Sequence, residues 1–127
     1  MKKRIFYHDT DCGGVVYYAN YLKYTEEART EYFEEKGVFI KEWADKGVLF
    51  VVAHQEIDYR LPAVYGDILE VRTHVAKISA VKIETAHEIR NQDDKLICEV
   101  KIIMVCVDKD IKPRAIPGEI AATLKEA

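Results

Sequence analysis

Asp9-Thr10-Asp11-Cys12-Gly13-Gly14-Val15-Val16-Tyr17-Tyr18-Ala19-Asn20-Tyr21 sets two carboxylates two residues apart, ahead of a glycine pair that runs straight into a helical pattern. Helix starts leave backbone N–H groups unpaired and carry partial positive charge, so they bind anions and polarise carbonyl oxygens. A carboxylate beside such a start suits acyl chemistry. Two glycines between a strand and a helix also serve as a plain turn, and Asp11 read on its own chemistry fits a turn or cap acid as well.

Outward from this stretch, Lys3 to Tyr7 reads as a short first strand and Asp9 to Tyr17 as the loop after it. From Tyr18 to about Lys36 the residues Tyr21, Leu22, Tyr24, Thr25, Ala28, Tyr32 and Phe33 recur at helical spacing, and Gly37 supplies the stop. Phe39 to Lys46 reads as one or two more helical turns ending at Gly47, with Trp43 packing back onto the core. The period then changes. Segments rich in valine, isoleucine and threonine, approximately 48–59, 67–78, 81–91 and 95–107, are separated by Pro62 with Gly66, by Ser79-Ala80 and by Asn91 to Asp94. Short turns favour antiparallel hairpins, and a long early helix needs a broad apolar face to cover it. The expected class is α+β, a curved antiparallel sheet wrapped around one long helix. Pro117 opens a short closing helix.

The stretch with its flanks, from Tyr7 to Glu35, resembles the signature of the hotdog-fold thioesterases. The likeness is to the 4-hydroxybenzoyl-CoA thioesterase group and to the small acyl-CoA thioesterases linked to the Tol-Pal envelope system. Tyr59-Arg60-Leu61-Pro62-Ala63, Tyr65-Gly66-Asp67 and Lys112-Pro113-Arg114-Ala115-Ile116-Pro117 extend the resemblance along nearly the whole chain. It implies a hotdog domain over residues 1–127 that hydrolyses the thioester of a short-chain, aromatic or longer acyl-CoA. The second acid of the pair, Asp11, is the implied base or nucleophile, and the helix-start amide that polarises the thioester carbonyl falls on Tyr18. Relatives in the Tol-Pal branch often carry a histidine at that place, so Tyr18 agrees better with the 4-hydroxybenzoyl-CoA pattern. Coenzyme A enters as part of the substrate, and no other cofactor is implied.

Around Asp11 the expected substrate contacts are Tyr7, His8, Gly14, Val15, Asn20 and Glu26. Asn20 is equally suited to capping the helix, and Glu26 is the rival base, since other hotdog thioesterases carry their carboxylate on this helix. Asp9 reads as structural, because two ionised acids so close oppose each other unless one is paired or solvated. Lys112 and Arg114 resemble the basic tail that grips coenzyme A phosphates, with Ser79, Lys82 and Arg60 as further contacts; arginine suits phosphate by its bidentate geometry. Cys12 lies at a glycine-rich turn near a helix start with His8 close in sequence, yet no oriented Cys-His-acid order accompanies it, so a Cys12→Ala variant is expected to keep its thioesterase turnover.

At 127 residues with 49% hydrophobic residues, the chain buries about two-thirds of its unfolded surface without needing disulfides or a structural metal. Three cysteines with no ligand spacing, and Met-Lys-Lys-Arg with no apolar core after it, point to a reducing cytoplasm. Apolar runs fall far short of the ~20 residues that span a bilayer. A net charge of −3 with interspersed signs argues against a nucleic-acid surface. The last long strand is apolar on both alternations near its end, so one face is expected to cover the helix and the other to meet another subunit, in a dimer or a homotetrameric dimer of dimers. Two other readings stay open. One is a hotdog hydratase or dehydratase built on His8 and Asp11, and the other is a non-catalytic acyl-thioester binding protein.

Overall fold

A computed structural model describes residues 1–125. The elements in chain order are β1 (Lys2–Arg4), α1 (Asn20–Glu35), α2 (Ile40–Asp45), β2 (Leu49–Tyr59), β3 (Ile68–Ile78), β4 (Lys82–Arg90), β5 (Leu96–Val107) and α3 (Gly118–Lys125). The strands form one antiparallel sheet in the order β1-β3-β4-β5-β2. The four long strands match the expected segments to within one residue at each end, because a period of two bounded by turn residues is a strong local signal.

The sheet has a core face and an outer face. Alternate residues Ile83, Thr85, His87 and Ile89 on β4, and Cys98, Val100, Ile102, Met104 and Cys106 on β5, are buried. They join one core with Tyr21, Tyr24, Ala28 and Phe33 of α1, and Trp43 of α2 packs against its edge. A fully buried side chain of this size contributes roughly 1.5–3 kcal/mol. The outer face is charged near Glu99 and Lys101, where Arg60 pairs with Glu99 at 3.0 Å and Lys101 with Glu84 at 3.8 Å. It turns apolar at Ile103 and Val105, near the end of β5, where the sequence is apolar on both alternations.

Two local expectations need correction at the helix entrance. The first strand stops at Arg4, and Tyr7–Asp9 instead form a single 3-10 turn. The Asp9 carboxylate accepts the Phe6 N–H at 2.8 Å, which bends the chain out of the sheet. The helix starts at Asn20, not Tyr18, because the Asn20 N–H is taken by the Tyr17 carbonyl and the Leu22 N–H by the Ala19 carbonyl, in tight turns that precede the first α-helical bond.

Candidate active site

Asp11 stands at the tip of the loop. Its Oδ1 accepts the Gly13 N–H at 2.8 Å and its carbonyl the Gly14 N–H at 3.0 Å, while its own N–H donates to Val15 and closes the loop. Gly14 lies at φ +80°, a left-handed conformation that disfavours side chains, so this turn needs its second glycine. The carboxylate is exposed, and its second oxygen has no hydrogen-bond partner among the described residues. The neighbouring Tyr17 phenol has its pKa raised, chiefly by the Tyr18 phenol beside it and in smaller part by burial and the Asp11 charge.

Beyond the glycines, Val16 donates to the Ala63 carbonyl, which docks the loop on the segment after β2. The chain then passes Tyr17 and Tyr18, whose rings lie 4.7 Å apart, before entering α1. The N–H groups of Tyr18 and Ala19 have no acceptor among the described residues. The Tyr18 carbonyl instead takes the Tyr59 hydroxyl at 3.2 Å. These residues wall a cleft of about 280 Å³, lined by Val15, Val16, Tyr18, Tyr21, Tyr59 and Leu61 among others. A free carboxylate, free amides and an apolar hollow thus share one end of the molecule. The Tyr59 ring, 5.8 Å from Tyr21, is a cleft residue that sequence reasoning did not single out. Its signals are its place at the end of a strand just ahead of Pro62 and its opening of the Tyr59-Arg60-Leu61-Pro62-Ala63 element of the family resemblance.

Asp9 is structural, as expected, and buried to 7% exposure. Burial works to raise its pKa, but the Tyr24 hydroxyl at 2.7 Å, the Phe6 N–H and nearby Lys3 and His8 outweigh it, and the net shift is downward. Asn20 does not cap the helix through its side chain; Nδ2 donates to the Asp9 carbonyl at 2.9 Å and ties helix to loop.

Several other expected site residues make no hydrogen bond to Asp11. His8 stacks on Phe6 with ring centroids 5.9 Å apart and makes no hydrogen bond to Asp11. Tyr7 is exposed and meets Tyr65 edge-on at 6.0 Å. Glu26 sits on the exposed side of α1, accepting from Thr30 at 3.5 Å, with no bond to the Asp11 loop. Its position, six residues into the helix, places it about 9 Å along the axis from the start.

The expected coenzyme A contacts divide into two groups. Arg114 N–H bonds the Cys106 carbonyl, Ile116 N–H bonds Ala80, and Cys106 N–H bonds Val81, so the tail runs beside the β3–β4 hairpin that carries Ser79 and Lys82. Lys112, Arg114, Ser79 and Lys82 therefore share one end of the sheet. Arg60 is at the other, anchored by its N–H to Ile97 and engaged with Glu99. Eight residues of β5 separate Cys98 from Cys106, about 27 Å of strand. Arg60 borders the cleft and does not join the basic tail.

Cys12 is exposed in the loop, whereas Cys98 and Cys106 are buried in the core. Burial and the Glu99 charge push the Cys98 thiol up to about 12, far from thiolate chemistry. Among the described residues, no three His, Cys, Asp or Glu side chains are grouped to hold a metal ion. Likewise no helix is long and apolar enough to cross a membrane.

Residues 7–124 match the Thioesterase-like superfamily. Over 124 residues the chain is 36% identical to the acyl-CoA thioester hydrolase YbgC of Escherichia coli O6:H1, covering 97% of this chain and 92% of the relative. It is 35% identical over 121 residues to the acyl-CoA thioesterase YbgC of Haemophilus influenzae, covering 94% and 88%. The crystal structure of the hypothetical protein TT1821 from Thermus thermophilus superposes with a TM-score of 0.93 at 27% identity, covering 99% of this chain and 96% of that one. The probable thioesterase YbaW from Escherichia coli gives 0.86 at 26% identity, with coverage of 99% and 96%. With its five-stranded sheet, its long helix and its sequence all matched end to end, the chain belongs to the Thioesterase-like superfamily and has the hotdog fold.

Proposed function

We propose that this thioester hydrolase cleaves acyl-CoA to free acid and coenzyme A, with Asp11 as base or nucleophile and the Tyr18 N–H polarising the thioester carbonyl. The observation that carries the reading is the meeting of an exposed, half-free carboxylate, an unpaired backbone amide and an apolar cleft at one loop. As base, Asp11 takes a proton from water while the water oxygen bonds the thioester carbon, and the tetrahedral intermediate then collapses, breaking the C–S bond and expelling the coenzyme A thiolate, which takes up the proton; as nucleophile, its oxygen bonds that carbon, thiolate leaves, and water then hydrolyses the anhydride to free acid and carboxylate. In both routes the N–H donates to the developing oxyanion. Neither route uses a cofactor beyond the coenzyme A of the substrate. Release of free thiol from a panel of short, long and aromatic acyl-CoAs tests the activity and ranks the acyl groups. Hydration of enoyl-CoA with no thiol release would favour the hydratase reading, and binding without turnover would favour the binding protein.

The proposed enzyme is a homo-oligomer, a dimer or a dimer of dimers. β2 is an eleven-residue edge strand, exposed without a break from Val52 to Glu56, and a long open edge is a template for pairing. Antiparallel pairing of two copies across a twofold axis sets the end of β2 beside the cleft against the start of β2 in the other copy, next to that copy's basic tail. This arrangement reconciles the 27 Å between the two ends with a single ligand. Arg114 donates through Nε to the Ala115 carbonyl at 3.3 Å, and its guanidinium is exposed for phosphate. Arg114→Ala is expected to raise KM for acyl-CoA roughly 10-fold with little change in kcat, as removal of one charge-assisted phosphate contact does, read from initial rates across substrate concentration.

A further inference from the structure

All of the acceptor atoms of Asp9 are used, as are those of Asp67, but Asp9 is the one that adjoins the Asp11 loop. Oδ1 takes the Tyr24 hydroxyl at 2.7 Å, Oδ2 the Phe6 N–H at 2.8 Å, and the carbonyl takes both the Asn20 side-chain amide at 2.9 Å and the Tyr17 N–H at 3.0 Å. The four donors come from four places: the entry to the Tyr7–Asp9 turn, the turn before α1, the first turn of α1 and its second turn. Asp9 is followed after one residue by the loop tip that carries Asp11, and it holds by two bonds the segment that carries the Tyr18 amide. The two halves of the site are therefore fixed to a common post.

We propose that Asp9 and Tyr24 are positioning residues, which touch no substrate and set the separation between the Asp11 carboxylate and the free amide of Tyr18; this rests on the thioesterase reading. Tyr24 is buried on the core side of α1, edge-on to Tyr21 at 6.1 Å, so its ring is held independently of its hydroxyl. Burial and the adjacent Asp9 raise the Tyr24 phenol well above its ordinary pKa, which keeps it a donor at working pH. A displacement of about 1 Å between a catalytic group and its partner can cost on the order of 100-fold in rate, so a single missing latch bond has a chemical readout.

The test compares wild type, Tyr24→Phe and Asp9→Asn by thiol release and by amide hydrogen exchange of residues 11–18. Tyr24→Phe keeps the ring and removes one donor. It is expected to lower kcat roughly 10-fold with KM within about twofold, and to speed exchange in this loop while the sheet keeps its protection. Asp9→Asn, which turns an acceptor toward donors into an amide, should go further in the same direction. A merely structural role would lower the melting temperature and leave kcat of the folded protein unchanged. Tyr24→Phe with wild-type kcat and wild-type loop exchange would overturn the proposal. If wild type itself has no turnover, the thioesterase reading fails, and the exchange measurement still decides whether Tyr24 and Asp9 fix the loop.

Discussion

Asp11→Asn is expected to release thiol from acyl-CoA at least ~100-fold more slowly than wild type while keeping the wild-type fold, the scale of losing a catalytic base. The substitution isolates chemistry from structure. The asparagine side-chain oxygen can still accept the Gly13 N–H that the carboxylate takes at 2.8 Å, and Asp11 is exposed, so no buried charge changes. The amide can neither accept a proton from water nor attack as an anion. A 100-fold loss corresponds to about 2.7 kcal/mol of transition-state stabilisation. The residual rate would report what the Tyr18 N–H and the cleft supply on their own. Initial rates with wild type and variant side by side, with circular dichroism as the check on folding, decide the matter. Equal turnover would remove Asp11 from the chemistry and leave Glu26 to be tried, against its exposed position and its bond to Thr30.

The sheet was readable from sequence because each long strand advertises itself locally, by alternation and by turn residues at both ends. The Asp11 loop was readable by resemblance, and its glycines have a physical reason in the +80° φ of Gly14. The helix entrance was not, because its boundary is decided by which carbonyl takes the Asn20 N–H, a choice that helical periodicity does not register. The partition of the basic residues was hidden for a different reason. Arg60 and Arg114 both look like surface cations, and only the pairing of β2 with β5 sets them at opposite ends. Arg29 and His87 escaped altogether. Each interrupts an apolar pattern with a polar residue, yet both are buried, Arg29 on α1 and His87 on β4, 58 positions apart. The Nη1 of Arg29 is the one buried side-chain polar atom without a partner among the described residues.

His87 gives the second large expected effect, a loss of stability in mild acid that a single substitution removes. Its ring is 3% exposed, with Nδ1 2.9 Å from the Thr73 hydroxyl and Nε2 3.2 Å from that of Thr85. Burial, followed by the charges of Arg29 on α1 and His74 on β3, holds its pKa down to about 3, against 6.5 ordinarily. Between those values the unfolded chain binds a proton that the folded chain refuses, so the stabilisation is complete above pH 6.5 and drains away as pH falls toward 3. Each pH unit in that window costs up to about 1.4 kcal/mol, so wild type should lose roughly 2 kcal/mol between pH 7 and pH 5 from this group. Asp9, whose pKa is lowered below 3.8, also loses stabilising charge as pH falls, but only at pH values beneath this range, so the interval belongs to the histidine. Glutamine at position 87 offers a donor and an acceptor to the two threonines and cannot be charged. His87→Gln is therefore expected to be less stable than wild type at pH 7, yet to lose less than about 0.5 kcal/mol between pH 7 and pH 5 by urea unfolding. Parallel losses in the two proteins would show that His87 takes up its proton inside the folded core, and would place the acid sensitivity elsewhere.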